Sequence, residues 1–487
     1  MFFFRLVCTV RDIFRGLGSP RIAIGLFTIG LLLGCANGNG KSIEPIADDT
    51  RGIITAKQVV LVVVDALKAS ELGTYGYDRN TSPHLTALAR EGILFEQFRA
   101  ASCWTVPSFA TLLTGMAPSA AHAGDIFDKG RYERGAPKLR KDIPTLAEYL
   151  GDDIASAALV TNPYLHPYRG LGRGFDTYDH ENADHHHYRN AKKATDKAIG
   201  WLSRHKDAPF FYLLHLFDPH VPYRAPAPIE RMFVGHEPGR LDIDSRDQFR
   251  EIRSHALKLT DDEKGYLRDL YDAEVRFVDE QLGRLIDAMD DMGILETSYV
   301  VFTADHGEEH FEHGGFEHGH RFEDEVVRVP LVIRAPGGKW HAGQRVPWSA
   351  GHADIYPTIV EWFGKAIPRH LGGESLNPLI TGESQAHRTV YMEHNLYGPY
   401  RFAWFDGRYK LITDRAGQST WLYDLDTDPL EKHRLQEHAE IDAMKANLLQ
   451  HRAQLARRVG PQTGAPETPP QVPADVQTAL RSLGYID

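Results

Sequence analysis

Four residues, Asp65, Thr105, Asp305 and His306, have the types needed for displacement at an ester centre. Transfer of a phosphoryl or sulfuryl group needs a nucleophile in line with the ester, a cation that spreads charge from the transferred oxygens, and acid–base help at the leaving oxygen. Two carboxylates and an imidazole offer hard oxygen and borderline nitrogen donors for one divalent ion, and with a threonine hydroxyl they suit Mg, Ca, Mn or Zn alike. The Thr105 hydroxyl is a poor nucleophile alone; ligation to a cation lowers its pKa and makes it usable. Pro107 fixes the turn after it, and a helix starting there aims backbone N–H groups at an anion. Taken singly, Asp65 and Thr105 also suit helix N-caps, and Asp305-His306-Gly307 suits a turn. Their joint occurrence is what points to a site.

Apolar runs have to deliver these groups. Residues 57–64 form a β-branched run that reads as a buried parallel strand. It ends at Asp65, at the carboxyl end where functional groups gather in open α/β sheets. Residues 155–160 and 210–216 read as further central strands, 298–303 as the strand delivering Asp305 and His306, and 329–334 as another. Residues 83–95 have helical spacing stopped by Gly92, 107–113 suit the start of a helix, and 266–292 carry apolar residues at helical intervals. This alternation predicts an α/β fold with a mostly parallel, doubly wound sheet. From about Arg388 the texture changes. Residues 401–405, 409–412 and 421–425 predict a small antiparallel meander with turns at Asp406-Gly407 and Ala416-Gly417. A charged helix and a Pro-rich stretch, 461–473, follow.

The chain has 487 residues, 42% hydrophobic and 25% charged, which is ordinary globular composition with room for a large core or two domains. A net charge of -11 argues against wholesale nucleic-acid binding. Three cysteines, Cys8, Cys35 and Cys103, give no disulfide framework. At the N-terminus Arg5, Arg11, Arg15 and Arg21 precede an apolar run, 22–31, that is short for a membrane span. It ends in Leu32-Leu33-Gly34-Cys35, which resembles a bacterial lipobox with Cys35 as the lipidated first residue. An uncleaved N-terminal anchor is the other reading. The expected organisation is a signal peptide at 1–35, a tether at 36–56, a catalytic α/β domain at 57–387 and a C-terminal subdomain and tail at 388–487. Ala36 after the cysteine resembles an outer-membrane sorting signal. The expected location is therefore the bacterial cell envelope, as an exported lipoprotein held to the membrane through its lipid and facing the periplasm.

Leu61-Val62-Val63-Val64-Asp65, Thr105-Val106-Pro107-Ser108 with Leu112-Leu113-Thr114-Gly115, and Val301-Phe302-Thr303-Ala304-Asp305-His306-Gly307-Glu308 together resemble the core of the sulfatase family, within the alkaline phosphatase superfamily. Leu72-Gly73-Thr74-Tyr75-Gly76-Tyr77, Gly174-Phe175-Asp176, Phe217-Asp218-Pro219-His220, Arg328-Val329-Pro330-Leu331-Val332-Ile333, Asp354-Ile355-Tyr356-Pro357-Thr358, Leu422-Tyr423-Asp424-Leu425 and Leu483-Gly484-Tyr485 extend the resemblance over nearly the whole exported chain. The resemblance implies an alkaline-phosphatase-like fold with a small C-terminal α+β subdomain. It also implies one divalent metal held by Asp65, Thr105, Asp305 and His306. His220 corresponds to a family histidine that contacts the transferred group, and His318 to a Lys or His near the substrate. His122, His215 and His352 are candidates for supporting or second-metal positions. Asp218, His220 and His352 fit a second-metal pattern only with altered spacing, and 185–187, a run of three histidines, reads as a solvated loop.

Three positions depart from the family pattern. Thr105 stands where the family has a Cys or Ser that becomes formylglycine; Ala66 stands where a second Asp is frequent; Phe109 stands where an Arg follows Pro-Ser. Cys103 is off register and does not replace the missing cysteine. A formylglycine hydrate expels sulfate by collapsing to the aldehyde, and threonine has no second hydroxyl with which to do so. The threonine variant resembles lipoteichoic-acid synthases, phosphoethanolamine transferases and nucleotide pyrophosphatases. The expected activity is metal-dependent hydrolysis of, or transfer from, a phosphate or sulfate ester through Thr105, with glycan and lipid-linked esters as candidate substrates. The reading from another class is a non-catalytic metal- or anion-binding protein on the same scaffold.

Overall fold

The computed structural model describes residues 55–123, 138–180, 190–459 and 473–482. Cys8, Cys35, the lipobox, the tether up to residue 54, the run 185–187, the proline-rich stretch up to residue 472 and the Leu483-Gly484-Tyr485 ending lie outside the described residues.

The strongest β-branched run, Gln58–Val64, forms β1 and is buried at every position. Burial on both faces is what a central strand between two helical layers requires. β1 lies within an eight-stranded sheet. In spatial order the strands are β12 (Gln344–Gly351), β2 (Ile93–Arg99), β11 (Leu331–Arg334), β8 (Ser298–Ala304), β1, β7 (Phe210–Leu216), β5 (Ala155–Leu159) and β6 (Thr177–Asp179). β1 pairs in parallel with β7 and β8, and β5 with β7 and β6. β11 runs antiparallel to both its neighbours, so the sheet is mostly parallel. Helices Ala191–His205 and Asp261–Asp291 pack against one another, and the first also packs on β7. Thr260 and Glu263 close a reciprocal capping box at the start of the second, satisfying its first free N–H groups.

Parallel register sets up the site. Val64 lies level with Leu216 and Ala304. One more rung follows on each side: Asp65 N–H donates to the Leu216 carbonyl at 2.9 Å, and Asp305 N–H to the Val64 carbonyl at 3.1 Å. Three strands therefore end side by side, with Asp65 and Asp305 as the next residues.

The helix read from Pro83 and stopped by Gly92 is Pro83–Glu91, and Ile93-Leu94-Phe95, not read as a strand from sequence, begin β2. A Cβ at Gly92 would stand 2.5 Å from the Ile333 carbonyl oxygen, so only glycine permits the chain to leave the helix and press onto β11. Short apolar runs do not distinguish strand from helix by periodicity, and this turn splits one.

Two short hairpins, β3 (His122–Ala123) with β4 (Lys138–Leu139) and β9 (Glu309–His310) with β10 (Phe316–Glu317), flank the sheet's loops. The C-terminal meander is a four-stranded antiparallel sheet of β13 (Val390–Glu393), β14 (Arg401–Phe405), β15 (Tyr409–Asp414) and β16 (Thr420–Asp424). Helix Glu440–Val459 covers one face of it through Met444, Leu448 and Leu455. No helix among the described residues is long and apolar enough to cross a membrane.

Candidate active site

Asp65 and Asp305, both fully buried, face one another from the ends of β1 and β8. Asp305 Oδ1 accepts from the N–H groups of Ala66 at 3.2 Å and His306 at 2.8 Å. Its Oδ2, like Asp65 Oδ1, accepts no hydrogen bond. Two dry carboxylates at close range resist double ionisation. Burial first and then the Asp65 charge push Asp305 up to about 7. Asp65 goes the other way: burial opposes ionisation, but the charge of His220 and the contacts of His215 and His306 hold it well below the usual carboxylate range.

His306 supplies the clearest sign of a cation. Its Nδ1 donates to the Gly307 carbonyl at 2.9 Å, so Nε2 presents its lone pair. That lone pair faces three oxygens: Thr105 Oγ1 at 3.4 Å, Asp65 Oδ1 at 3.4 Å and Asp305 Oδ2 at 3.5 Å. Four electron-rich atoms converging out of water need positive charge among them. Without a metal a proton is drawn in, and although burial opposes it, Asp305 and Asp65 raise His306 to about 9. The donor set and the uncompensated oxygens fit one divalent ion.

The backbone here is tightly constrained. Ala66 has φ 57°, a left-handed conformation that costs an alanine roughly 1 kcal/mol. It turns the Ala66 N–H toward Asp305 while its carbonyl accepts from the Tyr271 hydroxyl at 2.7 Å. Gly307 donates to the Val326 carbonyl, and a Cβ on it would lie 2.3 Å from the Glu325 oxygen.

Thr105 opens the helix Thr105–Thr114, earlier than the start expected at Pro107, so the helix N-terminus lies at the hydroxyl itself. Val106 and Phe109 are buried, which anchors the first turn. Asn162, just past the end of β5, was not singled out from sequence. Its Nδ2 donates to Asp65 Oδ2 at 2.6 Å and lies 3.4 Å from Thr105 Oγ1, and its Oδ1 accepts from Tyr164 N–H at 2.8 Å, which fixes the amide's orientation. Its signal was its place: a polar residue directly beyond the carboxyl end of a central strand.

His220 and His318 lie in the same cluster. Their rings are 4.8 Å apart, and His318 stands 4.2 Å from the His306 ring. His220 Nδ1 donates to the Val221 carbonyl at 2.7 Å, and His318 Nδ1 pairs with Glu308 Oε1 at 2.9 Å. Burial lowers both imidazoles below the usual value, so both are neutral near pH 7, while burial and the neighbouring Glu317 hold Glu308 well above the usual range.

The remaining histidines separate. His215, level with Val63 on β7, brings Nε2 to 3.4 Å from Asp65 Oδ2. His215 Nδ1 accepts from the Thr161 N–H at 3.3 Å and lies 3.0 Å from the Thr161 hydroxyl, so Nε2 carries the proton and faces Asp65. Asp65, His215 and Asp305 have ligand atoms within 4.8 Å of one another, and in this tautomer His215, expected in a supporting or second-metal position, supports Asp65. The Phe109 ring packs edge-on at 5.2 Å against His215, so an apolar wall stands where the family pattern has an arginine. His352 is a brace: Nε2 donates to the Ala304 carbonyl at 2.9 Å, and Nδ1 accepts from Ala101 N–H at 3.3 Å. With both nitrogens engaged it completes no second-metal set with Asp218 and His220. Cys103 is buried, and burial pushes its thiol up to about 12, which leaves it inert. Glu309, His313 and Glu325 also cluster, but His313, His320, Arg321 and backbone N–H groups satisfy the carboxylates, which makes an ion-pair network.

Known proteins share this arrangement of chain. A family model described as Sulfatase matches residues 57–365, and one described as N-sulphoglucosamine sulphohydrolase, C-terminal, matches residues 311–458. The uncharacterized sulfatase YidJ of Escherichia coli is 25% identical over 419 residues, 77% of this chain and 82% of that protein. N-acetylglucosamine-6-O-sulfatase of Bacteroides thetaiotaomicron is 24% identical, over 80% of this chain and 85% of that one. Among solved structures, the phosphonate monoester hydrolase of Agrobacterium radiobacter superposes with a TM-score of 0.64 at 23% identity, covering 82% of this chain and 96% of that one, and so shares the fold.

Proposed function

The chain belongs to the sulfatase family of ester hydrolases, and on that premise we propose that it cleaves a phosphate or sulfate ester with Thr105 as nucleophile and one divalent metal. The observation that carries this reading is the convergence of Thr105 Oγ1, His306 Nε2, Asp65 Oδ1 and Asp305 Oδ2 around one point. Asp65, Asp305, His306 and Thr105 would hold the ion, with the His215 Nε2–H supporting Asp65. When bound, the ion lowers the hydroxyl pKa and takes up charge on the transferred oxygens.

The Thr105 proton leaves to solvent, and Oγ1 attacks phosphorus or sulfur as the bond to the leaving oxygen breaks. The proton that makes the leaving group a neutral alcohol comes from solvent, and His220 or His318, neutral near pH 7, stands by to hydrogen-bond the transferred group or the departing oxygen. Water or an acceptor alcohol then attacks the threonyl ester at phosphorus or sulfur, and Thr105 takes back a proton. Asn162 holds the carboxylate and the hydroxyl in register throughout. A threonine ester has no route to an aldehyde and must be cleared by such an attack, which favours a phosphoester over a sulfate. The relative named for N-acetylglucosamine-6-O-sulfate supports a glycan-type ester.

The test is metal-stripped enzyme assayed on phosphomonoesters, phosphodiesters and sulfate esters with each metal restored. Turnover should need metal and fall by roughly three or more orders of magnitude in Thr105→Ala. Full turnover in Thr105→Ala on every active ester would sink the nucleophile. The proposed location follows from Cys35: the Cys35→Ser precursor should lose lipid labelling, and equal labelling would remove the anchor from the account.

A further inference from the structure

Arg169 is fully buried, and among the described residues none of its three guanidinium nitrogens has a hydrogen-bond partner. It lies over the Tyr168 ring at 4.8 Å and the Tyr164 ring at 5.4 Å. Cation–π contact of this kind is worth about 0.5–2 kcal/mol. An unpaired buried cation costs several kcal/mol, so the rings alone do not justify an arginine where Met or Leu would fill the same space. The ring of the buried His122 has only the Lys138 backbone as a polar partner among the described residues. Its imidazole is pushed down to about 3 by burial and then by the charges of His394 and Arg169, so it remains a neutral donor and acceptor.

This cluster adjoins the nucleophile. Asn162, which touches Thr105, leads directly into two short helical turns, Pro163–Leu165 and Pro167–Arg169. Tyr164 stands edge-on to Trp104 at 5.6 Å, and Trp104 immediately precedes Thr105. The Trp104 indole and the Ser102 hydroxyl both donate to the His394 carbonyl, and the His394 ring lies 6.3 Å from that of His122. The Tyr164 ring thus touches both the guanidinium and Trp104, the residue before Thr105, and Tyr168 is partly exposed.

We propose that Arg169, with His122, forms an anion subsite that takes a second negatively charged group of the ester substrate, a carboxylate, sulfate or phosphate. A guanidinium presents a planar fork that such groups accept in bidentate fashion, and the flanking tyrosine and tryptophan rings suit the apolar face of the moiety bearing them. The substrate class is then a polyanionic ester, a glycan carrying a uronate or a second sulfate being the type. This specificity claim rests on the ester-cleaving reading above; anion binding itself does not.

The test uses the full chain with metal removed, so that the catalytic centre lacks the ion that would hold an anion. Inorganic sulfate is titrated by calorimetry and by thermal shift into the wild type, Arg169→Met and Arg169→Lys. Arg169→Met keeps the aliphatic stem against both rings and removes an unpaired charge, so it should fold with an unchanged or higher Tm in sulfate-free buffer. It should bind sulfate at least about tenfold more weakly, with Arg169→Lys between. Equal sulfate affinity in wild type and Arg169→Met, or no saturable binding to the wild type, overturns the subsite. With metal restored, KM is compared for 4-nitrophenyl phosphate and for carboxyphenyl phosphate. The wild type should favour the doubly charged ester, and Arg169→Met should erase the ratio. Arg169-dependent sulfate binding with no KM preference assigns the pocket to a free anion and overturns the substrate claim. Cleavage of neither the phosphates nor the matching aryl sulfates defeats the ester-cleaving reading while the binding arm still decides the pocket.

Discussion

At the scale of single residues, the chemistry depends on which lone pairs are left unpaired. His306 spends Nδ1 on its neighbour's carbonyl and keeps Nε2 for the cluster. A divalent ion should therefore stabilise the folded chain as well as activate it. Saturation at about 100 times Kd corresponds to roughly 2.7 kcal/mol, visible as a rise in Tm with Mg, Ca, Mn or Zn. Asp305→Ala should abolish both the Tm response and turnover; a retained response would move the ion elsewhere. Asn162 touches both Asp65 and Thr105, and orienting partners of this kind are worth about 10–100-fold. Asn162→Ala should lower kcat by that factor, and unchanged kcat would reduce it to a structural bystander. Ala66 was legible only as a missing acid; its positive φ, a backbone fact, shows that the position also aims an N–H at Asp305.

At the scale of elements, parallel register converts sequence distance into proximity. Residues 65 and 305 are neighbours because β1 and β8 pair without a shift and each continues one rung beyond its end. His352 locks this edge by joining the Ala304 carbonyl to the Ala101 N–H, tying β8 to the segment that leads to Thr105. His352→Ala leaves both groups buried and unbonded, at about 1–3 kcal/mol each. Urea unfolding should show a loss of roughly 2–5 kcal/mol together with reduced turnover, while a loss under about 0.5 kcal/mol would mean the brace is idle. The central strands were readable because parallel strands buried on both faces are continuous apolar runs. The stop at Gly92 was legible, but β2 beyond it was not, because its partners β11 and β12 lie far along the chain and no local period records that pairing.

At the scale of the whole molecule, the two sheets are joined by buried charge. Asp324 accepts from Arg99 at 3.0 and 2.7 Å and from Lys410 of β15 at 2.6 Å, and Lys410 also pairs with Glu431 at 2.6 Å. Burial opposes ionisation, but Arg99 and Lys410 hold Asp324 well below the usual carboxylate range. Its contribution is therefore complete above the unfolded value of about 3.9 and is lost as pH falls through the lower folded value. Glu431 works the other way: burial pushes it up to about 8, so its ionisation withdraws stability as pH rises toward that value. Asp324→Ala strands Arg99, leaves Lys410 with Glu431 alone, and should cost about 3–5 kcal/mol near pH 7. The gap from wild type should narrow only below about pH 4; a gap constant down to pH 2 would show that the ion pairs add nothing. The residue types for a metal-assisted displacement, the order of the central strands' sequences and the antiparallel meander are written locally, because hydrophobic period, turn residues and donor chemistry act over short spans of chain. The seating of His215 against Asp65, the bridging by Asn162, the reduction of His352 to a brace and the isolation of Arg169 were decided by tertiary structure. Each depends on which strand ends meet and on which polar atoms are sealed from water without a partner, and no single stretch of chain contains that information.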